Sequence, residues 1–239
     1  MGIDIGPIEA TDGLVVHFDA GNIRSYAGSG NTIYSLSGFG YTGSLVNGTG
    51  FSSANGGSFF FDGTNDYIFW NSLDALKWQN WTQMTIEIVF MLSSYTGASG
   101  ARQYILDFRD NGGVNGALGL FFDNAAGRGL KLFYNTTGTN FEELAITDFS
   151  LGEKIFYQVT FDKSSSSNNI NHYINGNNVF IRSIAINSAT SNTGRIWMGR
   201  YSGDNYFWNG HIYSFKFYNK LLSASEILQN YNATKGRYR

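Results

Sequence analysis

The sequence predicts an all-β fold, a sandwich or barrel of many short strands with one short helix near its C-terminal end. Three observations carry that expectation. Apolar residues recur with a period of two, Asn-Gly and Asp-Gly pairs separate the strand-like runs, and the single proline, Pro7, precedes the first run. A period of two puts alternate side chains on opposite faces of a pleated strand. Asn-Gly and Asp-Gly reach positive φ cheaply, as tight hairpins require. Proline within a sheet would remove a ladder donor.

In chain order, strands are expected at Leu14–Phe18, Ser58–Phe61 and Tyr67–Trp70. Met84–Met91 alternates, with Met84, Ile86, Ile88 and Phe90 on one face and Thr85, Glu87 and Val89 on the other. Tyr104–Phe108, Leu118–Phe122, Leu130–Tyr134, Phe156–Phe161, His172–Ile174, Val179–Ile186 and Ile196–Gly199 follow. His211–Tyr218 alternates again, with Ile212, Ser214, Lys216 and Tyr218 facing away from His211, Tyr213, Phe215 and Phe217. Turns are expected at Asn55-Gly56, Asp62-Gly63, Asn111-Gly112, Asn175-Gly176 and Asn209-Gly210. Ser223-Ala-Ser-Glu226 reads as a capping box opening a helix with Ile227, Leu228 and Tyr231 on one face, and Ser72–Leu76 is a weaker helical stretch.

Apolar residues make up 42% of 239 residues, enough to pack one sizeable core, and no linker or shift in composition divides the chain. The expected organisation is an N-terminal arm over residues 1–12 and one domain over residues 13–239, with Ser164–Asn169 as a hairpin loop. Only 14% of residues are charged and the net charge is −2, with Lys and Arg scattered, so no concentrated positive footprint for nucleic acid is expected. The chain has no cysteine, which excludes disulfides and thiolate metal sites. No stretch approaches the ~20 apolar residues that span a bilayer, and the first ten residues lack the pattern of a cleaved signal.

Several stretches resemble the laminin-G-like branch of the concanavalin A-like lectin/glucanase superfamily. They are Gly13–Asn22, Phe59-Phe-Phe-Asp-Gly-Thr-Asn-Asp-Tyr-Ile68, Tyr157–Asp162 leading to Tyr173-Ile-Asn-Gly176, Ile196–Arg200, Trp208–Tyr218 and Leu222–Tyr231. Phe156 stands where that family often has Trp. The resemblance implies a two-sheet antiparallel jelly-roll sandwich. The opening Phe18-Asp-Ala-Gly-Asn22 and the closing Lys235-Gly-Arg-Tyr238 are most similar to versions in tailed-bacteriophage structural proteins.

The superfamily's hydrolases carry Glu-x-Asp-x-x-Glu or Glu-x-Asp-x-Glu along one strand, and neither occurs here. Retaining and inverting glycosidases need carboxyl groups roughly 5–5.5 Å or ~6.5–9.5 Å apart. Glu87 has no acidic strand neighbour, Glu142 and Glu143 are adjacent and so point to opposite faces, and Arg109 between Asp107 and Asp110 suggests an ion pair. His17, His172 and His211 each stand alone in strand-like text, and no nucleophile elbow occurs. No enzyme is expected.

Calcium takes 6–8 oxygen ligands. Asp62-Gly-Thr-Asn-Asp66 and Asp204-Asn205 hold such oxygens, with a turn and a strand cap as the competing reading; no ligand set is assigned and no cofactor is expected. Tyr201–Trp208 combines aromatic rings with Asn and Asp, the chemistry of a carbohydrate site, with Asp204, Asn205, Tyr206 and Trp208 as its candidate residues; Trp78-Gln-Asn-Trp81 shares that chemistry. In both loops the competing reading is an aromatic core plug. The expected role is a non-enzymatic bacteriophage virion structural protein (capsid decoration, head-fibre or tail-associated), localised to the virion after assembly in the host cytoplasm. Its expected partners are other virion proteins, further copies of itself and host surface glycans. The alternatives are a free-standing carbohydrate-binding lectin module and, behind it, a glycoside hydrolase.

Overall fold

The structure, a computed structural model, describes residues 8–71, 73–96, 100, 102–109, 118–125, 129–136, 139–146, 149–186, 193–203 and 205–238. They form two antiparallel sheets packed face to face. One sheet contains β1 (Leu14–Asp19), β4 (Gly50–Ser52), β5 (Ser58–Asp62), β7 (Gln83–Leu92), β12 (Lys154–Asp162), β13 (Ile170–Ile174), β14 (Asn177–Arg182) and β16 (Asn209–Tyr218). Its order is β14-β13-β12-β7-β16-β5-β4, with β1 beside the C-terminal half of β16. The other contains β2 (Thr32–Tyr34), β3 (Thr42–Val46), β6 (Tyr67–Trp70), β8 (Arg102–Asp107), β9 (Leu118–Asp123), β10 (Gly129–Thr136), β11 (Thr139–Ile146) and β15 (Ile196–Met198), in the order β11-β10-β9-β8-β15-β6-β3-β2.

The period-two reading of β7 holds: Met84, Ile86, Ile88 and Phe90 enter the core between the sheets. β16 departs from simple alternation. A bulge at Tyr213 breaks its register with β7, so Ile212 shares the core with Phe215 and Phe217, while Tyr213, Lys216 and Tyr218 lie outside it. One extra residue in a strand flips every side chain beyond it to the other face. Two further corrections concern strand ends. Val179–Ile186 is a strand only to Arg182, and Asn209-Gly210 opens β16 rather than turning. A Cβ on Gly210 would stand 2.2 Å from the Met91 carbonyl and 2.8 Å from the Trp208 indole nitrogen, so this glycine serves close approach. Asn175-Gly176, with φ of 53° and 78°, does turn, joining β13 to β14. Asn111-Gly112 lies outside the described residues.

The outer face of the first sheet is covered by α1 (Ala224–Thr234), which begins with the expected capping box between Ser223 and Glu226. Ile227 packs with Tyr173, Tyr218 and Leu222, and Tyr231 with Phe156, Val89 and Tyr238. Phe156 therefore plugs the helix–sheet layer rather than the space between the sheets. Under the helix, Asn230 donates to Glu87 (2.8 Å) and Lys216 reaches both Glu87 (3.5 Å) and Glu9. Residues 8–12 lie against this layer: the Ala10 N–H donates to Asn230 and Lys220 binds Asp12 at 2.8 Å. At the C-terminal end, the Arg237 guanidinium grips the Asp19 carboxylate and the Gly56 carbonyl. The stretches Phe18–Asn22 and Lys235–Tyr238 thus close on each other through Asp19 and Arg237.

His17, paired with Lys216 across β1 and β16, has its pKa pushed from 6.5 to about 3 by burial, with Lys216 and Arg237 adding to the effect. The unfolded chain takes up this proton near pH 6.5 and the folded chain only near pH 3, so stability falls as pH drops through that window. At about 1.4 kcal/mol per unit, the loss amounts to a few kcal/mol. Denaturant unfolding of wild type and His17→Gln at pH 7 and pH 4 checks this. Wild type is expected to lose a few kcal/mol more than the variant; equal losses would assign the acid sensitivity elsewhere.

Candidate functional site

The loop from β15 to β16 carries the residues expected to meet a ligand. It is built by backbone bonds at both ends: Gly199 N–H to the Ile105 carbonyl (3.0 Å), Trp208 N–H to the Gly199 carbonyl (2.8 Å) and Tyr104 N–H to the Tyr206 carbonyl (2.9 Å). The Tyr201 N–H bonds the Asn205 carbonyl at 3.1 Å and closes the tip. The Tyr201 ring lies over Gly203, where a Cβ would sit 2.3 Å from it. Asp204 lies outside the described residues.

Three tyrosines gather on the outer face of the second sheet. The Tyr104 ring centroid is 5.3 Å from Tyr201 and 6.3 Å from Tyr206, and the two loop rings are 6.0 Å apart. Phe121 stacks on Tyr104 at 4.7 Å. Beneath them runs a buried ion pair, Arg109 Nε to Asp107 Oδ1 at 2.7 Å. The Arg109 guanidinium sits over Tyr201 (4.3 Å), Phe133 (4.7 Å) and Tyr104 (5.0 Å). The other Asp107 oxygen accepts the Ser202 N–H at 2.7 Å and so ties the loop to the pair. Burial raises the Asp107 pKa, and Arg109 and Ser202 draw it down. A second set continues along the same face: Trp197 stacks on Phe69 at 4.1 Å, and the Arg200 guanidinium lies 4.1 Å from Trp197 and 4.0 Å from Tyr67.

The structure brings Asn205 and Tyr206 together at this surface, both half-buried, and removes Trp208. Trp208 is 0% exposed and meets Phe90 edge-on at 5.7 Å inside the core, so its ring cannot meet a ligand. Sequence reasoning missed Tyr104, which lies in strand text about a hundred residues away, and read Arg109 as an ion-pair partner without placing it at this loop. Tyr206 carries the feature least legible in sequence, a φ of 54°. A bulky side chain in that region costs about 1–3 kcal/mol and persists only where its surroundings fix it. Here the fixing contacts are the bond to Tyr104 N–H and the tyrosine rings.

The acidic residues considered for catalysis occupy separate places. Glu87 lies under α1 on one outer face and Asp107 on the opposite outer face, with the whole core between them. Asp110 and the side chains of Glu142 and Glu143 lie outside the described residues. Asp62 and Asp66 close their own loop, accepting the Thr64 N–H (2.7 Å) and the Asp62 N–H (3.2 Å). His172 bonds the Tyr157 hydroxyl at 2.8 Å and His211 the buried Ser58 hydroxyl at 3.0 Å. The second loop with sugar-type chemistry, Trp78–Trp81, lies at the opposite end of the sandwich, where β7 begins.

A family model described as the concanavalin A-like lectin/glucanases superfamily matches residues 62–228. No curated protein matches the chain in sequence. Among solved structures, the fold is similar to Trypanosoma rangeli sialidase in complex with sialic acid (TM-score 0.66, 14% identity over 93% of this chain and 33% of the sialidase). It is also similar to the botulinum neurotoxin serotype D binding domain (TM-score 0.67, 14% identity, 94% of this chain and 52% of that one). The binding domain of botulinum neurotoxin DC in complex with rat synaptotagmin II gives a TM-score of 0.69 at 11% identity, over 93% of this chain and 52% of that one. The chain thus spans a third to about half of these neighbours.

Proposed function

From the premise that this chain belongs to the concanavalin A-like lectin/glucanases superfamily, we propose that it is a non-enzymatic structural domain of a bacteriophage virion that contacts host surface glycans. The observation that carries the glycan reading is the aromatic platform of Tyr201 and Tyr206 on Tyr104, held in place by Asp107 and Arg109. Its loop is pinned before any ligand arrives, which lowers the ordering cost of binding. The half-buried rings offer apolar faces to sugar C–H groups. The neighbours' recorded complexes, with sialic acid and with synaptotagmin, fit a surface-recognition role. A non-enzymatic reading is supported by the separation of Glu87 from Asp107 and by the engagement of each in a buried ion pair. The virion reading rests on the similarity of Phe18–Asn22 and Lys235–Tyr238 to phage structural proteins, and it includes virion proteins and further copies of this chain as partners.

Two measurements test these parts separately. Mass spectrometry of purified particles should find the protein at a fixed copy number; retention on glycans by a protein absent from particles would instead favour a free-standing lectin. Tyr206→Ala is expected to leave the unfolding free energy within about 1 kcal/mol of wild type, since the ring is half-exposed. It should weaken glycan binding by about tenfold or more, because exposed aromatic anchors concentrate binding energy. Unchanged glycan affinity in that variant would remove the platform from the account.

A further inference from the structure

The layer between α1 and the first sheet holds three polar side chains where apolar packing would serve. Lys216 of β16 is 4% exposed, Glu87 of β7 is 6% exposed and Asn230 of α1 is 1% exposed. Lysine and glutamate are almost never this buried unless paired, and asparagine is a poor residue for a helix interior. One carboxylate holds the other two groups. Glu87 Oε2 lies 3.5 Å from the Lys216 ammonium, and Glu87 Oε1 accepts from Asn230 Nδ2 at 2.8 Å. Register sets the first contact, since Lys216 and Glu87 are opposite each other on neighbouring strands. The Asn230 amide is fixed at both ends. Its Nδ2 also donates to the Tyr218 hydroxyl at 3.1 Å, and its Oδ1 accepts the Ala10 N–H at 2.7 Å.

These groups are the parts of an amide exchange. An amine is a nucleophile only when deprotonated, and a buried carboxylate is a ready acceptor for its proton. Burial raises the Glu87 pKa against the pull of Lys216 and Asn230. Glu9 contacts the same ammonium from the N-terminal arm but is partly exposed, which leaves Glu87 as the buried acceptor. Proton transfer from Lys216 to Glu87 removes two charges from a layer where charge is costly. The Ala10 N–H is placed to stabilise negative charge growing on Asn230 Oδ1, as an oxyanion donor does. Glu87 Oε1, already bonded to Nδ2, stands where the leaving nitrogen needs a proton. A cavity of about 10 Å³ bordered by Glu87, Lys216 and Asn230 gives room for a group the size of water or ammonia. Lys235 also meets an amide, Asn232 at 2.6 Å, but that pair is exposed and nothing there favours a neutral amine.

We propose that the folded chain joins Lys216 to Asn230 through an isopeptide bond of its own making, with Glu87 as the proton carrier. The step balances without a co-reactant. The Lys216 ammonium gives one proton to Glu87, and the free amine attacks Asn230 Cγ. The Nζ–Cγ bond forms. Glu87 returns its proton to Nδ2 as the Cγ–Nδ2 bond breaks, and takes a second proton from Nζ. Ammonia leaves and carries that last proton away as ammonium. Nothing is oxidised or reduced. The bond ties α1 covalently to the central strand β16. It forms once per chain and turns over no external substrate, so it stands beside a non-enzymatic role.

The test is the intact mass of the full chain, followed by tryptic peptide mapping. Wild type is expected to weigh about 17 Da less than its sequence, the mass of one ammonia lost in a covalent modification. It should also yield a branched peptide joining Lys216 to Asn230. Glu87→Gln, which keeps the shape of the side chain, and Lys216→Met are each expected to show their full sequence mass and no branched peptide. The inference is overturned if wild type has its full sequence mass. It is also overturned if the loss maps to ring closure at an Asn-Gly pair such as Asn175-Gly176, or if the branched peptide persists in Glu87→Gln. The wild-type mass and peptides decide the matter whether or not a variant folds.

Discussion

Replacing Asp107 by alanine is expected to destabilise the fold by about 3–5 kcal/mol, the usual consequence of removing one partner from a buried ion pair. Asp107 is fully buried, bonded to Arg109 Nε at 2.7 Å and to the Ser202 N–H at 2.7 Å. Without it, the Arg109 charge stays under Tyr104, Phe133 and Tyr201 with no counter-ion, and the Ser202 amide loses its acceptor. Denaturant unfolding measures the loss. The double replacement Asp107→Leu with Arg109→Met should recover much of it, because paired charges exchanged for apolar groups of similar volume are often neutral in stability. A catalytic carboxylate would behave otherwise: its removal would abolish turnover while leaving stability nearly intact. An Asp107→Ala protein as stable as wild type would therefore contradict the structural role assigned here.

Trp208→Ala is the second large effect, about 3–5 kcal/mol, in line with emptying a fully buried aromatic site. The indole fills space between Phe90 and the backbone of Gly210, and neighbours fixed in two central strands cannot collapse into the void. Thermal or chemical unfolding checks it. The comparison with Tyr206→Ala matters most, because the two aromatics stand two residues apart. One should lower stability and spare glycan binding in the folded fraction, and the other should do the reverse. If Trp208→Ala lost glycan binding at wild-type stability, the indole would have to be reassigned from core to site.

The long central strands were legible because burial on one face writes a period of two into the residues. β7 shows this from Met84 to Phe90, and the capping box at Ser223 announces α1 by its own chemistry. β2, β3 and β4 were not, because strands of three to five residues with few buried side chains leave no period to read. β11 was missed because Phe141, Leu144 and Ile146 are unevenly spaced around Glu142-Glu143 and leave no period of two. The bulge at Tyr213 defeats local reading, since an extra residue has no signature apart from its partner strand. The same limit explains Asn209-Gly210 and Asn175-Gly176, identical dipeptides with different fates. One is decided by the approach of Met91 and Trp208, the other by its own hairpin.

The site was legible in part. Asn205 and Tyr206 do lie side by side on a loop, and the Asp107–Arg109 pair was suggested by sequence spacing. Trp208 has the same composition around it as Tyr206, and only the direction of the backbone decides which ring turns inward. The contribution of Tyr104 comes from cross-sheet placement, to which no local pattern points.

The most direct test of the glycan-contacting role is retention of the purified protein on a glycan array, wild type beside Tyr206→Ala. The account predicts that wild type is retained on a defined set of glycans, that these come off chemically unchanged, and that the variant is retained about tenfold less or not at all. Absence of retention on every glycan, or equal retention of both proteins, would contradict it.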